Sequence, residues 1–256
     1  MLKNITINKI GKVAKCFATG KMTFGYCPIC ERKTIFIKYG DWLRDTYLCM
    51  SCVSTPRQRA IVKTIKELYP SYKQMSIHES SPGGISSDKL KSDCIDYTSS
   101  QFFLDFPLGK YKDGIRCENL EKLTFGDNTF DMVITQDVFE HIFNPKLAFK
   151  EIERVLKPGG THIFTVPYYY WEKTLVRARQ KEKKIDYLEE KMYHGNPIDE
   201  KGSLVVTEWG YDFIEYINKC TNMETKIYNF LGLKENYKLG LDASFLEVFV
   251  SKKNNL

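Results

Sequence analysis

Apolar residues fall into two patterns along the middle of this chain of 256 residues. From Phe130 to Ile134 they run almost unbroken between polar neighbours, which predicts a strand buried on both faces. After the polar break Thr135-Gln136-Asp137 they recur at Val138, Ile142, Leu147, Phe149, Ile152, Val155 and Leu156, the later ones at helical spacing, and Pro158-Gly159-Gly160 predicts the stop. Thr161 to Val166 then reads as a second strand. A strand, a crossover helix and a strand build an open parallel sheet, whose ligands sit beyond the carboxyl ends of the strands. Gln136, Asp137 and His141 lie at such an end.

The flanking patterns extend this plan. Thr55 to Pro70 predicts a helix with Pro56 in its first turn and Ile61, Ile65 and Leu68 on one face, with Arg57 and Arg59 expected on its solvated side. Gln74 to His78 reads as a strand, Glu79 to Gly84 as a polar glycine-containing turn, and a helix follows. Ser92 to Asp96 and Gly114 to Asn119 are the next strand candidates. Residues 167–207 exceed what the sheet needs and border its mouth, so they are expected to form a substrate lid, with the basic run from Lys173 to Lys184 as a solvated helix. Trp209 to Cys220 predicts an amphipathic helix, and Glu224 to Phe230 and Phe245 to Val250 predict two closing strands that form an antiparallel edge.

Composition narrows the class. A 43% hydrophobic and 14% aromatic content fits a globular chain, and a net charge of +6 permits an anionic partner but is mild for a dedicated nucleic-acid binder. The sequence holds no apolar run of membrane-spanning length and its first residues lack the continuous apolar core of a signal peptide, so the expectation is a cytoplasmic protein without a membrane span. Of eight cysteines, four form Cys27-Pro-Ile-Cys30 and Cys49-Met-Ser-Cys52. Two such knuckles can present four thiolates to one tetrahedral ion, as in a zinc ribbon, with Thr34 to Lys38 and Asp41 to Leu48 as its strands. Disulfides would need an oxidising compartment, and a redox dithiol only one CxxC. Four cysteines leave no coordination position open, so a Zn(2+) here would be structural. Cys16, Cys94, Cys117 and Cys220 read as small buried side chains.

FDMVITQDVFEHI followed by RVLKPGG closely resembles the class I S-adenosylmethionine-dependent methyltransferases. The loop ESSPGG departs from that family's usual acidic residue and GxGxG. It is similar instead to a subset of glycan-modifying methyltransferases that also begin with paired CxxC knuckles, and that likeness covers nearly the whole chain. The resemblance implies a Rossmann-like α/β fold with a mostly parallel sheet. It divides the chain into an arm and ribbon over 1–54, a linker helix over 55–72, and a methyltransferase domain over 73–256. It further implies S-adenosylmethionine as cofactor, contacted by Glu79, Ser80 and Gly83 at the loop, Asp96 and Tyr97 at the second strand, Glu118 and Asn119 near adenine, and Gln136. Asp96 would accept the ribose hydroxyls from the end of its strand.

Methyl transfer from a sulfonium is an in-line displacement, so the protein mainly aligns the reactants and excludes water. A hydroxyl acceptor is helped by a general base, for which His141, His194 and Asp137 are the candidates. Tyr168, Tyr169 and Trp171, with His194 in the YHGNP turn, are candidate substrate contacts, their rings suited to stacking a sugar or base. The expected activity is O-methylation of a saccharide or related small molecule in surface-glycan assembly. An RNA methyltransferase gripping its substrate through the ribbon is the less favoured alternative, and a cofactor-binding scaffold without catalysis is the third. The sequence leaves the acceptor atom and the oligomeric state open.

Overall fold

The computed structural model describes residues 21–182, 184–196, 199–228, 238–241, 243 and 245–255. Residues 1–20 of the N-terminal arm, with Cys16, lie outside this range, as do Pro197 of the YHGNP turn and the end of the strand expected to reach Phe230. In chain order, β1 (Lys21–Cys27), β2 (Arg32–Lys38), α1 (Leu43–Thr46), β3 (Tyr47–Cys49) and α2 (Pro56–Leu68) come first. They are followed by β4 (Ser76–Ser80), α3 (Gly84–Asp93), β5 (Asp96–Gln101), β6 (Tyr111–Lys112), β7 (Ile115–Cys117) and β8 (Phe130–Gln136). A 3-10 turn at Phe139–His141 leads to α4 (Pro145–Val155) and β9 (Leu156–Thr165). Short strands β10 (Tyr168–Tyr169), β11 (Leu175–Val176), β12 (Ala178–Lys181), β13 (Lys184–Tyr187), β14 (Tyr193–Asn196), β15 (Asp199–Leu204) and β16 (Thr207–Gly210) precede α5 (Phe213–Cys220), β17 (Met223–Tyr228) and β18 (Val248–Lys253).

Internal contacts divide the chain into two compact units, one of residues 1–70, 84–92 and 228–248, the other of 71–83, 93–227 and 249–256. In the first, β1, β2 and β3 form an antiparallel sheet. Of the stretch expected as a second ribbon strand, Asp41 to Leu48, only Tyr47 and Leu48 join β3, while Leu43 to Thr46 form α1, because the tight Trp42–Thr46 turn satisfies its own backbone, Asp45 and Thr46 donating to the carbonyl of Trp42. Helix α2 begins with a capping box, Thr55 and Gln58 satisfying each other's backbone donors, and Pro56 fills the first turn where no donor is needed. Its Arg59, expected in solvent, is fully buried. The guanidinium donates to the carbonyls of Ser54, of Tyr47 at 2.8 Å and of Gly240 at 2.5 Å, and lies over the ring of Phe36. Three buried carbonyls and an aromatic face replace its water, although burial still lowers its pKa to about 10.

The second unit is built on an eight-stranded sheet of order β17-β18-β9-β8-β4-β5-β7-β6. Strands β9, β8, β4, β5 and β7 run parallel, and β18 pairs antiparallel with β9. This is the Rossmann-like α/β arrangement with an antiparallel edge that the sequence predicts. Helix α4 starts where Asn144 caps the backbone of Leu147 and Pro145 takes the first turn. It buries Ala148, Phe149, Ile152 and Val155 in a core shared with Phe139, Phe164, Trp209, Phe213 and Phe249. Each large apolar side chain buried this way contributes about 1.5–3 kcal/mol relative to exposure. Trp209, expected in the following helix, lies in β16 and stacks on Phe213 at 4.2 Å, so the core takes rings from strand and helix alike. Among the described residues no helix is long and apolar enough to cross a membrane.

Two histidines complete the sheet interior. His78 bonds Ser100 Oγ at 2.8 Å and His162 bonds Thr135 Oγ1 at 3.0 Å, and burial first, then a neighbouring positive group, depresses both to about 3. Below about pH 6.5 the unfolded chain takes up protons that the folded chain refuses, so this stability is full above that pH and is lost as pH falls toward 3. Thermal unfolding between pH 7 and 4 is expected to show a declining acid limb of at most about 1.4 kcal/mol per pH unit per histidine, made shallower in His162→Gln.

Candidate active site at the carboxyl edge of the sheet

Parallel pairing sets Glu79 opposite Ile134 and Ser80 opposite Thr135, which brings the ends of β4 and β8 level. Glu79 is 1% exposed, a carboxylate that would be costly without donors. Gln136 Nε2 donates to its Oε1 at 2.8 Å and Tyr97 Oη to its Oε2 at 2.6 Å. Two side chains from the strands on either side of β4 thus hold one buried acid at the edge. Beyond it the chain bends sharply, with Ser81 at φ 55° and Asp137 at φ 53°, backbone conformations that persist where surrounding bonds enforce them. The amide of Ser81 bonds Ser100 O at 2.7 Å and that of Asp137 bonds Thr165 O at 2.9 Å. A Cβ placed on Gly83 meets nothing within 4 Å, so the loop leaves open room there. Gly84 needs its glycine for a different reason, with φ 72° and the Gln58 amide 2.2 Å from where a Cβ would stand.

Asp96 does not join this group. The second parallel strand begins at Asp96 rather than ending there, and the register pairs Asp96 with Ser76 at the amino end of β4. Its carboxylate is therefore at the far edge of the sheet from Glu79. Glu118 reaches the correct edge, but its buried carboxylate is taken by Arg116 Nε at 2.7 Å, the Thr124 amide at 2.8 Å and Thr124 Oγ1 at 2.5 Å. Asn119 accepts from the amide of Glu121 at 2.9 Å, shaping the turn that follows β7. Tyr168 is buried against Phe249, whereas Tyr170 and Trp171 are each about half exposed, 52% and 53%.

The insertion folds as strand pairs rather than as a helix. Residues Lys173 to Lys184 contribute β11, β12 and the start of β13, and β12 with β13 is an antiparallel pair whose Lys181 side chain meets Asp186. The following pair, β14 with β15, sets His194 beside Ser203. One backbone bond and one ring bond tie the insertion to the turn after β8, Val206 N donating to Glu140 O at 2.7 Å and His141 Nδ1 donating to Leu204 O at 2.8 Å. His141 and His194 consequently face each other at 5.4 Å between ring centroids, and each has a nitrogen 3.8 Å from Glu140 Oε1. Asp137 stands at the start of the same turn, its carboxylate accepting from Thr165 Oγ1 at 2.9 Å.

In the first unit, Cys27, Cys30, Cys49 and Cys52 bring their sulfurs within 4.8 Å of one another, with Cys27 to Cys52 at 3.7 Å and Cys30 to Cys49 at 3.9 Å. Sulfurs placed tetrahedrally about 2.3 Å from one zinc ion stand about 3.8 Å apart, so the donor set and spacing fit that ion.

Residues 87–164 match the family described as a methyltransferase domain. Among curated proteins, a 45-residue stretch is 49% identical to an uncharacterized methyltransferase of Schizosaccharomyces pombe, covering 18% of this chain and 16% of that protein. A 116-residue stretch is 30% identical to the ubiquinone/menaquinone biosynthesis C-methyltransferase UbiE of Hydrogenovibrio crunogenus, covering 39% of this chain and 45% of that one. The matched stretches thus span less than half the length of either relative. An S-adenosylmethionine-dependent methyltransferase from Mesorhizobium loti is similar in structure, at 12% identity and a TM-score of 0.49, covering 76% of this chain and 98% of that one.

Within the matched stretch, Glu140 was not singled out by sequence reasoning, although it sits between a core phenylalanine and a candidate histidine in a three-residue turn. An acid flanked by Phe139 on one side and His141 on the other was the available signal. A groove of about 550 Å³ lined by residues that include Lys150, Glu153, Arg154 and Lys219 shares no residue with this edge. Glu118→Gln is expected to destabilise the domain by about 1–3 kcal/mol in urea unfolding, because Arg116 loses its charged partner.

Proposed function

We propose that the protein is an S-adenosylmethionine-dependent methyltransferase that methylates a hydroxyl of a saccharide or related small molecule. The reading is carried by the buried Glu79 held between Gln136 and Tyr97 at the carboxyl edge of a parallel sheet, in a chain whose residues 87–164 match methyltransferase domains. The cofactor's amino-acid tail would lie by Ser80, Ser81 and the open space at Gly83, with Glu79 accepting from its ammonium group. The strand-end residues of β5 and the Asn119 turn would receive ribose and adenine, in place of Asp96. When bound, the cofactor supplies an activated methyl on sulfur, and the surrounding side chains orient it and keep water out.

On the acceptor side, Asp137, His141 and His194 are the polar groups proposed to surround the acceptor hydroxyl. Exposed Tyr170 and Trp171, with Tyr169 beside them, offer flat faces for a sugar ring. The four-cysteine cluster is proposed to hold one zinc ion that organises the first unit, its charge complementing the thiolates near buried Arg59.

Calorimetry with S-adenosylhomocysteine tests the core of this reading. Tight binding to the native chain is expected, weakened at least tenfold in Glu79→Ala, since a charged hydrogen bond is worth about 1.5–3 kcal/mol, while Asp96→Ala stays within about twofold of native, as expected for a residue outside the site. No binding at millimolar ligand would overturn it. Methyl incorporation into nucleotide-sugars but not RNA is the expected substrate result. For the ribbon, cobalt substitution should give thiolate-to-metal charge-transfer absorption that disappears in Cys27→Ser and Cys52→Ser.

A further inference from the structure

Glu140 is the anomaly of this structure. It is 1% exposed, and both of its carboxylate oxygens are buried without a hydrogen-bond partner. An unpaired buried carboxylate costs several kcal/mol, so its retention calls for a compensating positive group. Its neighbours on that side are His141 Nε2 and His194 Nδ1, each 3.8 Å from Oε1, too far for a hydrogen bond. The tautomer of His141 follows from its other nitrogen. Leu204 O can only accept, so Nδ1 donates at 2.8 Å, and Nε2 is the His141 nitrogen that lies nearer Glu140 and can serve as a ligand.

We infer that Glu140, His141 and His194 form a second metal site, taking one divalent first-row cation such as Mn(2+), Fe(2+), Co(2+) or Zn(2+). The three donor atoms lie within 4.8 Å of one another. Ligands about 2.0–2.2 Å from one ion stand about 3.0–3.8 Å apart, so modest rotation of the side chains closes the set. Two imidazoles and one carboxylate suit these ions better than Mg(2+) or Ca(2+), and three protein ligands leave positions open. The histidine side chains are 20% and 35% exposed, so those open positions are reachable from solvent. The Nδ1 bond from His141 to a backbone carbonyl is the support that ligating histidines use to fix ring orientation.

The site differs from the four-cysteine cluster in ligand type, in its open positions and in the unit that holds it. Resting on the methyltransferase reading, it also specifies how the acceptor is activated. The acceptor oxygen binds the ion and gives its proton to a solvent base, since a bound cation lowers the pKa of an oxygen ligand. That oxygen then forms the bond to the methyl carbon as the carbon–sulfur bond breaks, its electron pair passing to sulfur. The sulfonium becomes a neutral thioether and the methylated acceptor leaves the ion. His141 and His194 act here as ligands rather than as the base, and the insertion delivers one of them.

The test uses the full chain with its cysteines loaded with zinc and Mn(2+) as probe, followed by electron paramagnetic resonance and by thermal unfolding. One Mn(2+) per chain is expected in the native protein, weakened at least tenfold in His194→Ala and in Glu140→Gln. Mn(2+) should raise the melting temperature of the native protein and leave that of Glu140→Gln unmoved. The partly exposed His194 can be removed without emptying the core, so His194→Ala remains informative even if Glu140→Gln fails to fold. Failure of native protein to bind Mn(2+), Co(2+) or Fe(2+) at millimolar concentration, or equal binding by His194→Ala, overturns the site. S-adenosylhomocysteine calorimetry on the same samples reads the methyltransferase proposal separately, because metal binding without it would leave this site standing and that reading lost.

Discussion

Strand β4 lies between two parallel neighbours, and that single pairing register governs the rest of the second unit. It brings Ser80, Thr135 and Ser100 level, so that the chain must turn at three adjacent places along one edge. Backbone amides and carbonyls at those turns are no longer consumed by the ladder, and side chains from different strands meet there. Glu79 can be an ionisable group in a dry position only because the same register supplies donors from β5 and β8. A slip of one residue would send the acid to the opposite face and leave Gln136 and Tyr97 without their acceptor.

What the sequence made legible, and what it hid, follows from how each element is stabilised. Strand β8, helix α4 and strand β9 could be read because burial drives them, and burial leaves an apolar run or a helical stripe. Asp96 was misplaced because Cys94 and Ile95 looked like the interior of a strand, whereas Ile95 is 74% exposed and sits ahead of the ladder with its amide bonded to Lys73 O. The hairpin over residues 178–187 gave no periodic signal, since its strands are exposed on nearly every side chain and the pairing is held by backbone bonds. Paired cysteines were legible from their spacing, and their four sulfurs do gather within 4.8 Å of one another. Glu118 shows the converse: an acid at the expected edge is already consumed by Arg116 and Thr124, partners that no local pattern reveals.

The cluster at Glu140 extends this lesson to the insertion. Its strands are short and mostly exposed, so they add little hydrophobic stabilisation of their own. Their position is fixed by a few hydrogen bonds to the turn after β8, chiefly from the Val206 amide to the Glu140 carbonyl and from the His141 ring to the Leu204 carbonyl. A segment held in this manner is specified by where it must deliver a side chain rather than by what it buries, which is why its histidine could be noticed in the sequence while its partners could not.

The buried Arg59 carries a consequence for biosynthesis. Its guanidinium spans carbonyls at residues 47, 54 and 240, and Arg44 Nε reaches the carbonyl of Phe245 at 2.7 Å. A ribosome emits the chain from its amino end, so the cysteine knuckles emerge more than 180 residues before the carbonyls that complete their surroundings. Throughout that interval a nascent arginine destined for the interior must remain hydrated. The hydrogen bonds of Arg59 and Arg44 to the carbonyls of residues 240 and 245 therefore form only after the intervening sequence of the sheet has been synthesised.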